Sequence, residues 1–351
     1  MKKKSLLSIL LVLMLALSLC FSLASCDTPE DDGSSDGGGD NNQSGGSTGG
    51  DAPVITGIKY SVNKDGTYTV TSYVREGNAT EIVIPAVYEK AAVTAIAPYA
   101  FENCSYLTSV TISNSVKTIG EYAFSGCTGI TSINIPESVT TVDSYAFKDC
   151  TGLVTLTVAP NSDEDSKRAL SIESYAFYGC EKLAGAVDSE SQLDPKPSVL
   201  TLPECVASIG AHAFDGCVAL TSVKIPSTVE NIGDGAFQGC TALSSVKFAT
   251  KIVADAIAPM AFMDCTSLAE ITIPEGVERI GYNCFTGCTA LTKITVCDDL
   301  KMVGSGAFDG APITQVHVES VDGWDAITFS AIKADPTKAG ASLYLGGVIV
   351  E

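Results

Sequence analysis

Cysteine is the residue type in this chain with the widest possible chemistry, and eight of its thirteen cysteines recur at one repeating place. Thiols at regular spacing could form disulfides, bind a metal ion or act as nucleophiles. No Cys-x-x-Cys motif and no cysteine–histidine cluster with zinc-ligand spacing occurs, so we expect neither a metal nor a cofactor. The eight recurring residues are Cys104, Cys127, Cys150, Cys180, Cys217, Cys240, Cys265 and Cys288.

Their periodicity favours buried free thiols over disulfides. A residue at the same place in every unit should lie in an inward ladder, where cysteine acts as a small apolar residue with a weak donor. Rungs about 4.8 Å apart would allow bridging by distance, but parallel, in-register side chains make the disulfide dihedral awkward. The redox state of Cys205, Cys284 and Cys297, which lie off this ladder, stays open.

The remaining reactive side chains show no catalytic pattern. His212 stands at a place that other units fill with tyrosine, glycine, methionine or asparagine, so we expect it to be exposed. His317 lies between two inward valines and should face outward. Neither histidine has an obvious nucleophile or carboxylate partner in the local sequence. The acidic run 163–165 is typical of a solvated loop rather than a cation site. We therefore expect no enzymatic activity.

A phenylalanine three residues before each ladder cysteine identifies the unit that positions the thiols. Nine of the twelve phenylalanines share this place, and most are 23 residues apart. A fixed period of this length predicts a solenoid, in which no coil can bury its apolar face alone. The predicted core ladder adds to the eight cysteines Phe101, Phe124, Phe147, Phe177, Phe214, Phe237, Phe262, Phe285 and Phe308.

The unit that starts at Phe124 predicts a strand, a turn and a short helical piece. The segment 133–135 alternates in, out and in, as a half-buried strand does, and Pro136 ends it. The spacing of Val139 and Val142, followed by Ala-Phe-x-x-Cys, fits a turn and a short helical or 3₁₀ segment. Right-handed coils of about 23 residues should therefore stack their strands into one parallel β-sheet face.

The ends and two long coils depart from the repeat. We assign residues 53–100 to an N-terminal β-hairpin cap and first coil, 101–311 to the repeats and 312–351 to a C-terminal cap. The hairpin is indicated by alternating apolar residues around an Asn-Lys-Asp-Gly turn. Two coils carry inserts, at 159–169 and 184–198, which we expect to form surface loops, with a functional role or as neutral drift.

The unit resembles the BspA-like leucine-rich repeats of bacterial surface proteins. The string Ala-Phe-x-x-Cys-x-x-Leu-x-x-Ile-x-Ile-Pro-x-x-Val-x-x-Ile-Gly is nearly intact at 213–233 and 261–281, and recognisable over 100–316. The resemblance implies a leucine-rich-repeat-like solenoid in an exported or surface-anchored protein. Several members of that family are similar to adhesins, which bind host matrix proteins or other cells.

The N-terminus predicts export and lipid anchoring. Three lysines and an apolar run over 6–23 are typical of a secretory signal, and Leu-Ala-Ser-Cys at 23–26 resembles a bacterial lipobox. We assign 1–25 to a lipoprotein signal peptide and Cys26 to lipidation. A transmembrane anchor, or an ordinary signal with an incidental cysteine, is the alternative. The acidic Gly/Ser-rich segment 26–52 should be a disordered tether between membrane and solenoid.

The net charge argues against nucleic acid as a partner. The formal net charge is −20, which repels nucleic-acid phosphates and anionic headgroups. We expect a monomer that binds no nucleic acid and meets the membrane through its lipid.

The outward side of the predicted sheet is the candidate binding face. Regular, flat polar faces are what solenoids use to contact proteins or glycans. The predicted function is a non-catalytic, adhesin-like contact with host or microbial surface or matrix proteins. A glycan-binding module, suggested by a row of tyrosines before the Ala-Phe corner, or a structural envelope protein without a specific ligand is the alternative. The face residues are Thr111, Asn134, Thr157, Lys224, Lys247, Thr272, Thr295 and Lys293.

Overall fold

Each coil contributes a strand of three or four residues whose alternate apolar side chains point inward. In the strand 132–135, for example, Ile133 and Ile135 are buried while Asn134 is exposed. Successive strands stack in parallel and form what we call the long-strand face. Its strands are β3 (Glu81–Ile84), β6 (Ser109–Ile112), β8 (Ser132–Ile135), β10 (Thr155–Val158), β13 (Ser198–Thr201), β15 (Ser222–Ile225), β17 (Ser245–Phe248), β19 (Glu270–Thr272), β21 (Lys293–Val296), β23 (Gln315–Val318) and β25 (Ser342–Leu345).

These strands belong to a computed structural model that describes residues 57–162, 168–187 and 198–350. The described residues form a β-solenoid of about 11 coils of roughly 23 residues, which confirms the predicted fold class. The signal segment, Cys26, the tether, the acidic run 163–165 and most of the second insert lie outside the described residues.

A second parallel strand, of only two residues in most coils, follows the turn, where the sequence predicted only a turn or a short helical piece. The difference has a physical reason, because two residues are too few to show the alternation that identifies a strand. These strands form the short-strand face. They are β5 (Ala91–Ile96), β7 (Thr118–Ile119), β9 (Thr141–Val142), β11 (Leu170–Ile172), β14 (Val206–Ile209), β16 (Asn231–Ile232), β18 (Ala256–Ile257), β20 (Arg279–Ile280), β22 (Met302–Val303) and β24 (Thr328–Phe329).

The Ala-Phe-x-x-Cys segment forms a corner of consecutive tight turns between the two faces. In one coil the Cys150 N–H donates to the Phe147 carbonyl, a bond of the 3₁₀ type. The Phe147 N–H donates to the Ala176 carbonyl of the next coil at 2.8 Å, so corners are bonded to one another as strands are. Tyr145 and Asp149 flank this phenylalanine with φ of 60° and 55°, and these left-handed residues keep the corner from continuing as a helix.

The corner phenylalanines fill the core as a continuous column. Phe101 to Phe285 are fully buried, and Phe308 at the far end is 7% exposed. Adjacent ring centroids are 4.9–5.6 Å apart and their planes lie within 5° of parallel. The coils are therefore in register along the whole described chain.

The N-terminal end is closed by the predicted hairpin, made of β1 (Ile58–Val62) and β2 (Tyr68–Tyr73). A short strand, β4 (Val87–Tyr88), turns back on β5 beside it. The second insert begins with β12 (Ala186–Val187), which pairs antiparallel with β13.

The C-terminal end is closed by the only α-helix of the described residues, α1 (Val321–Asp325), and by two 3₁₀ turns at Ile332–Ala334 and Thr337–Ala339. Helix α1 begins where the Ser320 hydroxyl accepts a hydrogen bond from the Gly323 N–H, and it buries Trp324. A final strand, β26 (Val348–Ile349), folds antiparallel onto β25.

Candidate functional site

Strand alternation places the eight predicted face residues on the outside of the long-strand face. Exposed or half-buried side chains from neighbouring strands lie directly opposite one another, as in Asn134 with Thr157 and Thr272 with Thr295. Thr111 is exposed on β6, opposite Val83. The result is a polar column that runs along the solenoid.

Two lysines are neighbours in this column. Lys224 on β15 is paired in register with Lys247 on β17, so two positive charges share adjacent strands. Lys293 instead reaches the Glu270 carboxylate, with 3.1 Å between the amine and the oxygen. Since both partners of that ion pair are exposed, it contributes little to stability. Lys224 and Lys247 thus place two lysines side by side on adjacent strands of this face.

The column ends in two aromatic rings, of which the sequence analysis placed His317 on the outward side but not Tyr344. His317 lies opposite Tyr344 of β25, and their rings stack at 4.8 Å and 7°. Within the C-terminal cap predicted over 312–351, the fully buried Leu343 covers the apolar end, whereas the adjacent Tyr344 lies on the outward side. The alternation of inward and outward side chains around Leu343 is the sequence signal that predicts an outward position for Tyr344.

The long-strand face is interrupted between β17 and β19, which share no strand pairing. A cleft of about 660 Å³ opens at this break, lined by Lys247, Phe248, Glu275 and Glu319 among others. Phe248 is half-buried there, although the residue at its place in the preceding strand, Ile225, is 2% exposed. Phe248 meets the core edge-on, with 6.3 Å between its ring and that of Phe262.

The sequence carries a signal for this cleft that the analysis above did not use. The spacing from Phe237 to Phe262 is 25 residues rather than 23, and the strand ends in phenylalanine where Ile135 and Ile225 stand elsewhere. Alanine also replaces the proline that follows those two isoleucines. The extra length and the larger side chain fall at the same point of the coil.

A second aromatic column runs beside the phenylalanines at the corner. Its rings are half-buried, adjacent rings are 4.6–5.1 Å apart, and their planes lie within 11° of parallel. Every member has φ between 53° and 61°. Because each inner ring has a neighbour on both sides, the column offers ring edges to solvent rather than faces on which a sugar could stack. The members are Tyr99, Tyr122, Tyr145, Tyr175 and His212.

The expectation that His212 is exposed is wrong, because its side chain is only 20% exposed. Its Nδ1 lies 2.8 Å from an oxygen of Asp215, a carboxylate partner that the sequence analysis missed. The signal was their separation of three residues, which a tight turn brings together. Burial raises the pKa of Asp215, against the effect of the His212 hydrogen bond. The column ends here because the next coil has Gly235, where a Cβ would lie 2.5 Å from the His212 ring.

The thiols of the cysteine ladder link each corner to the preceding corner by a hydrogen bond. The Cys127 thiol donates to the Phe101 carbonyl at 3.0 Å, and the next five ladder cysteines make the same contact at 3.1–3.4 Å, as does Cys288 at 3.1 Å. These seven are buried and free, as are Cys205, Cys284 and Cys297. Cys104 differs from the expected pattern, since it is disulfide-bonded.

Burial makes these thiols poor nucleophiles and poor metal ligands. It raises the pKa of Cys127 to about 12, and that of Cys288 to about 12 as well. Both nucleophilic attack and metal binding need the thiolate, which such thiols do not form near neutral pH. In the part of the chain that the structure describes, no group of three or more histidines, cysteines or carboxylates could hold a metal ion.

The described residues include no helix with the length and apolar character needed to span a membrane.

Comparison with known families agrees with this geometry. The family model for the BspA type leucine rich repeat region matches residues 72–191 and 197–315, in six copies. Together these ranges make up more than half of the chain, and the chain therefore belongs to the BspA-type leucine-rich repeat family, whose members are typically surface or exported bacterial proteins.

Solved structures of bacterial leucine-rich repeat proteins are similar to the chain. The leucine rich repeat protein of T. pallidum is 24% identical, with 68% of this chain and 89% of that chain covered and a TM-score of 0.47. A leucine rich cell surface protein of Faecalibacterium prausnitzii is 27% identical, with 79% and 98% covered and a TM-score of 0.37. The pneumococcal vaccine antigen PcpA is 17% identical, with 84% and 98% covered and a TM-score of 0.34. No curated protein matches the chain.

Proposed function

We propose that the chain is a surface-anchored lipoprotein whose long-strand face binds a protein partner without catalysis. The observation that carries this proposal is the polar column, which places Asn134, Thr157 and the lysine pair on the same outward side of the solenoid. A solenoid repeats the same surface over many coils, and this suits it to broad contact with another macromolecule. Partners of this kind are proteins of host or microbial surfaces or of the extracellular matrix.

Anchoring is proposed from the sequence around Cys26, which lies outside the described residues. Cells that express the full chain should incorporate labelled fatty acid into it, and the Cys26→Ser variant should not. Protease added to intact cells should release the solenoid from the wild-type chain. Labelling that persists in Cys26→Ser would reject the lipoprotein assignment.

Partner binding is tested with the signal-free Cys26→Ser chain on arrays of matrix proteins, microbial surface proteins and glycans. Binding to a protein spot that weakens in the double variant Lys224→Ser, Lys247→Ser supports the proposal. The double variant Lys64→Ser, Lys338→Ser is the matched control, because it removes the same charge from the two ends of the solenoid. Binding confined to glycans would reject a protein partner, and binding to nothing would favour a purely structural role.

A further inference from the structure

The turn between β2 and β3 carries an acceptor sequence for N-linked glycans. Asn78-Ala79-Thr80 is an Asn-x-Ser/Thr triplet, in which the asparagine amide is the group that is glycosylated in exported proteins. Bacterial enzymes that transfer such glycans also require a carboxylate two residues before the asparagine, and Glu76 supplies it. Since members of this family are typically surface or exported proteins, the triplet lies in the kind of chain that meets these enzymes.

The turn leaves its asparagine free. Residues 76–78 are exposed, and a Cβ added to Gly77 would meet no atom within 4 Å. Among the described residues, neither the backbone nor the side chain of Asn78 makes a hydrogen bond. The turn is anchored at its end, where the Thr80 carbonyl accepts a hydrogen bond of 2.7 Å from the Thr108 N–H. The amide nitrogen of Asn78 can therefore meet an enzyme while the solenoid stays folded.

The triplet at 103–105 shows what the fold excludes. Its asparagine is also exposed, but the backbone there has a φ of 58° and its N–H donates to the Ser125 carbonyl at 2.7 Å. The central Cys104 is fully buried, so this segment cannot extend into an enzyme unless the corner opens. Phe101 stands two residues before this asparagine, where a carboxylate is required. A third triplet, at 42–44, lies outside the described residues.

We propose that Asn78 is an N-glycosylation site, at which the folded chain accepts an oligosaccharide from a polyprenyl diphosphate donor. The Asn78 Nδ2 forms a bond to the anomeric carbon of the first sugar. The bond from that carbon to the diphosphate oxygen breaks, and the diphosphate leaves with the electron pair. Nδ2 loses one of its two protons in the transfer, and no atom changes its oxidation state.

A glycan at this place would stand close to an open strand edge. Asn78 precedes β3, the first strand of the long-strand face, by three residues, and among the described residues β3 pairs only with β6. Open strand edges invite pairing with other chains, and natural proteins blunt or cover them. A bulky, solubilising glycan at the start of β3 would discourage such pairing. This role is independent of the protein partner proposed above.

The test uses the folded, signal-free Cys26→Ser chain with a bacterial oligosaccharyltransferase and its lipid-linked oligosaccharide. The enzyme preparation must first glycosylate a reference acceptor peptide. Trypsin then places Asn78 and Asn103 on separate peptides, 76–90 and 91–117. Mass spectrometry should find the glycan on peptide 76–90, with at least about ten-fold lower occupancy on peptide 91–117.

Variants of the turn identify the residues that the enzyme reads. Asn78→Gln and Thr80→Ala should each remove the glycan from peptide 76–90, whereas Thr80→Ser should keep it because serine retains the hydroxyl. Glu76→Gln should lower the occupancy strongly, since it removes the required carboxylate. Glu81→Gln is the matched control, because Glu81 is an exposed glutamate of the same peptide outside the acceptor sequence, and it should change nothing. Circular dichroism of every variant must match that of the parent chain.

The inference is overturned if the folded chain carries no glycan on Asn78 although the reference acceptor is modified. It is equally overturned if Asn103 reaches the same occupancy as Asn78, because the exposed turn then has no special role. A glycan on peptide 76–90 that persists in Asn78→Gln would also reject the site.

Discussion

Cysteine suits the corner because it combines small volume, apolar character and one weak donor. Each ladder thiol from Cys127 onward lies over the corner before it and donates to a phenylalanine carbonyl there. Serine would present a better donor but would cost more to bury. Alanine, which stands at this place in the last corner as Ala311, fills the space without the donor.

Removal of a ring from the middle of the phenylalanine column should destabilise the protein strongly. Phe214 is fully buried and stacks at 5.3 Å on Phe177 and on Phe237. We expect Phe214→Ala to lower the free energy of unfolding by about 3–5 kcal/mol, because it leaves a cavity between two coils. Urea denaturation followed by circular dichroism measures this. Phe308→Ala is the control and should cost less, since Phe308 is 7% exposed and stacks on one ring. Equal losses would contradict the column as a continuous stack.

The buried thiols should make the fold sensitive to alkali. A free thiol in the unfolded chain has a pKa near 8.5, whereas burial raises the pKa of Cys127 to about 12. The folded state holds this proton more tightly, so the stability is fully present below about pH 8.5 and is lost as the pH rises toward 12. In that pH range, we expect each such thiol to lower the free energy of unfolding by up to about 1.4 kcal/mol per pH unit.

Urea midpoints at pH 7.5 and 9.5, measured under reducing conditions, test the alkaline loss. In Cys127→Ala the difference between the two midpoints should be smaller than in the parent chain, because one titrating group is gone. An unchanged difference would show that Cys127 does not contribute.

At the scale of the elements, the lack of strand pairing between β17 and β19 should be visible in hydrogen exchange of the free protein. The amides of Val246 and Phe248 point to the unpaired side, whereas those of Val223 and Ile225 on β15 point to the paired β17. We expect the first two amides to exchange faster than the second two, by at least ten-fold, in NMR exchange spectra. Equal protection of all four would mean that β17 and β19 are paired in solution.

The long strands and the corners could be predicted from the sequence, because a 23-residue period and a two-residue alternation are strong and independent signals. The alternation at Ile133 and Ile135 gives the strand, its inward side and the outward place of Asn134 together. The short-strand face could not be predicted, since Thr141 and Val142 are paired through backbone groups that carry no sequence signature. The His212–Asp215 contact depends on how one turn folds, and the cleft at Phe248 depends on how one longer coil folds. A repeat pattern predicts only what the regular coils share, so neither feature could be predicted from it.

At the scale of the whole molecule, the coil of β17 divides the solenoid into two blocks. At this coil both faces are interrupted, because β17 does not pair with β19 and β16 does not pair with β18. The corner column continues across it, with the Phe237 N–H bonded to the Ala261 carbonyl at 2.8 Å, and a parallel bridge joins Lys251 to Glu275. These contacts join the blocks without the strand pairing that joins other coils. Since solenoid stability is roughly a sum of coil and interface contributions, this interface should be the weakest.

The two blocks should therefore unfold separately. Trp324 is the one tryptophan of the chain and lies in the C-terminal block, so its fluorescence reports that block alone. We expect the fluorescence transition in urea to differ in midpoint from the circular dichroism transition, which reports both blocks. A single coincident transition would show that the corner column and the bridge are enough to couple them.

The burial of the cysteine ladder also implies an order of events during folding. Before a chain has coiled, its sulfurs are open to oxidants, and a covalent link between two distant units would hold together segments that coiling must separate. Once a new turn has been laid down, it shields the sulfur of the turn beneath it. In an oxidising compartment the yield of native protein would then depend on the competition between coiling and oxidation, and coiling that propagates from one turn to the next lowers the number of exposed sulfurs.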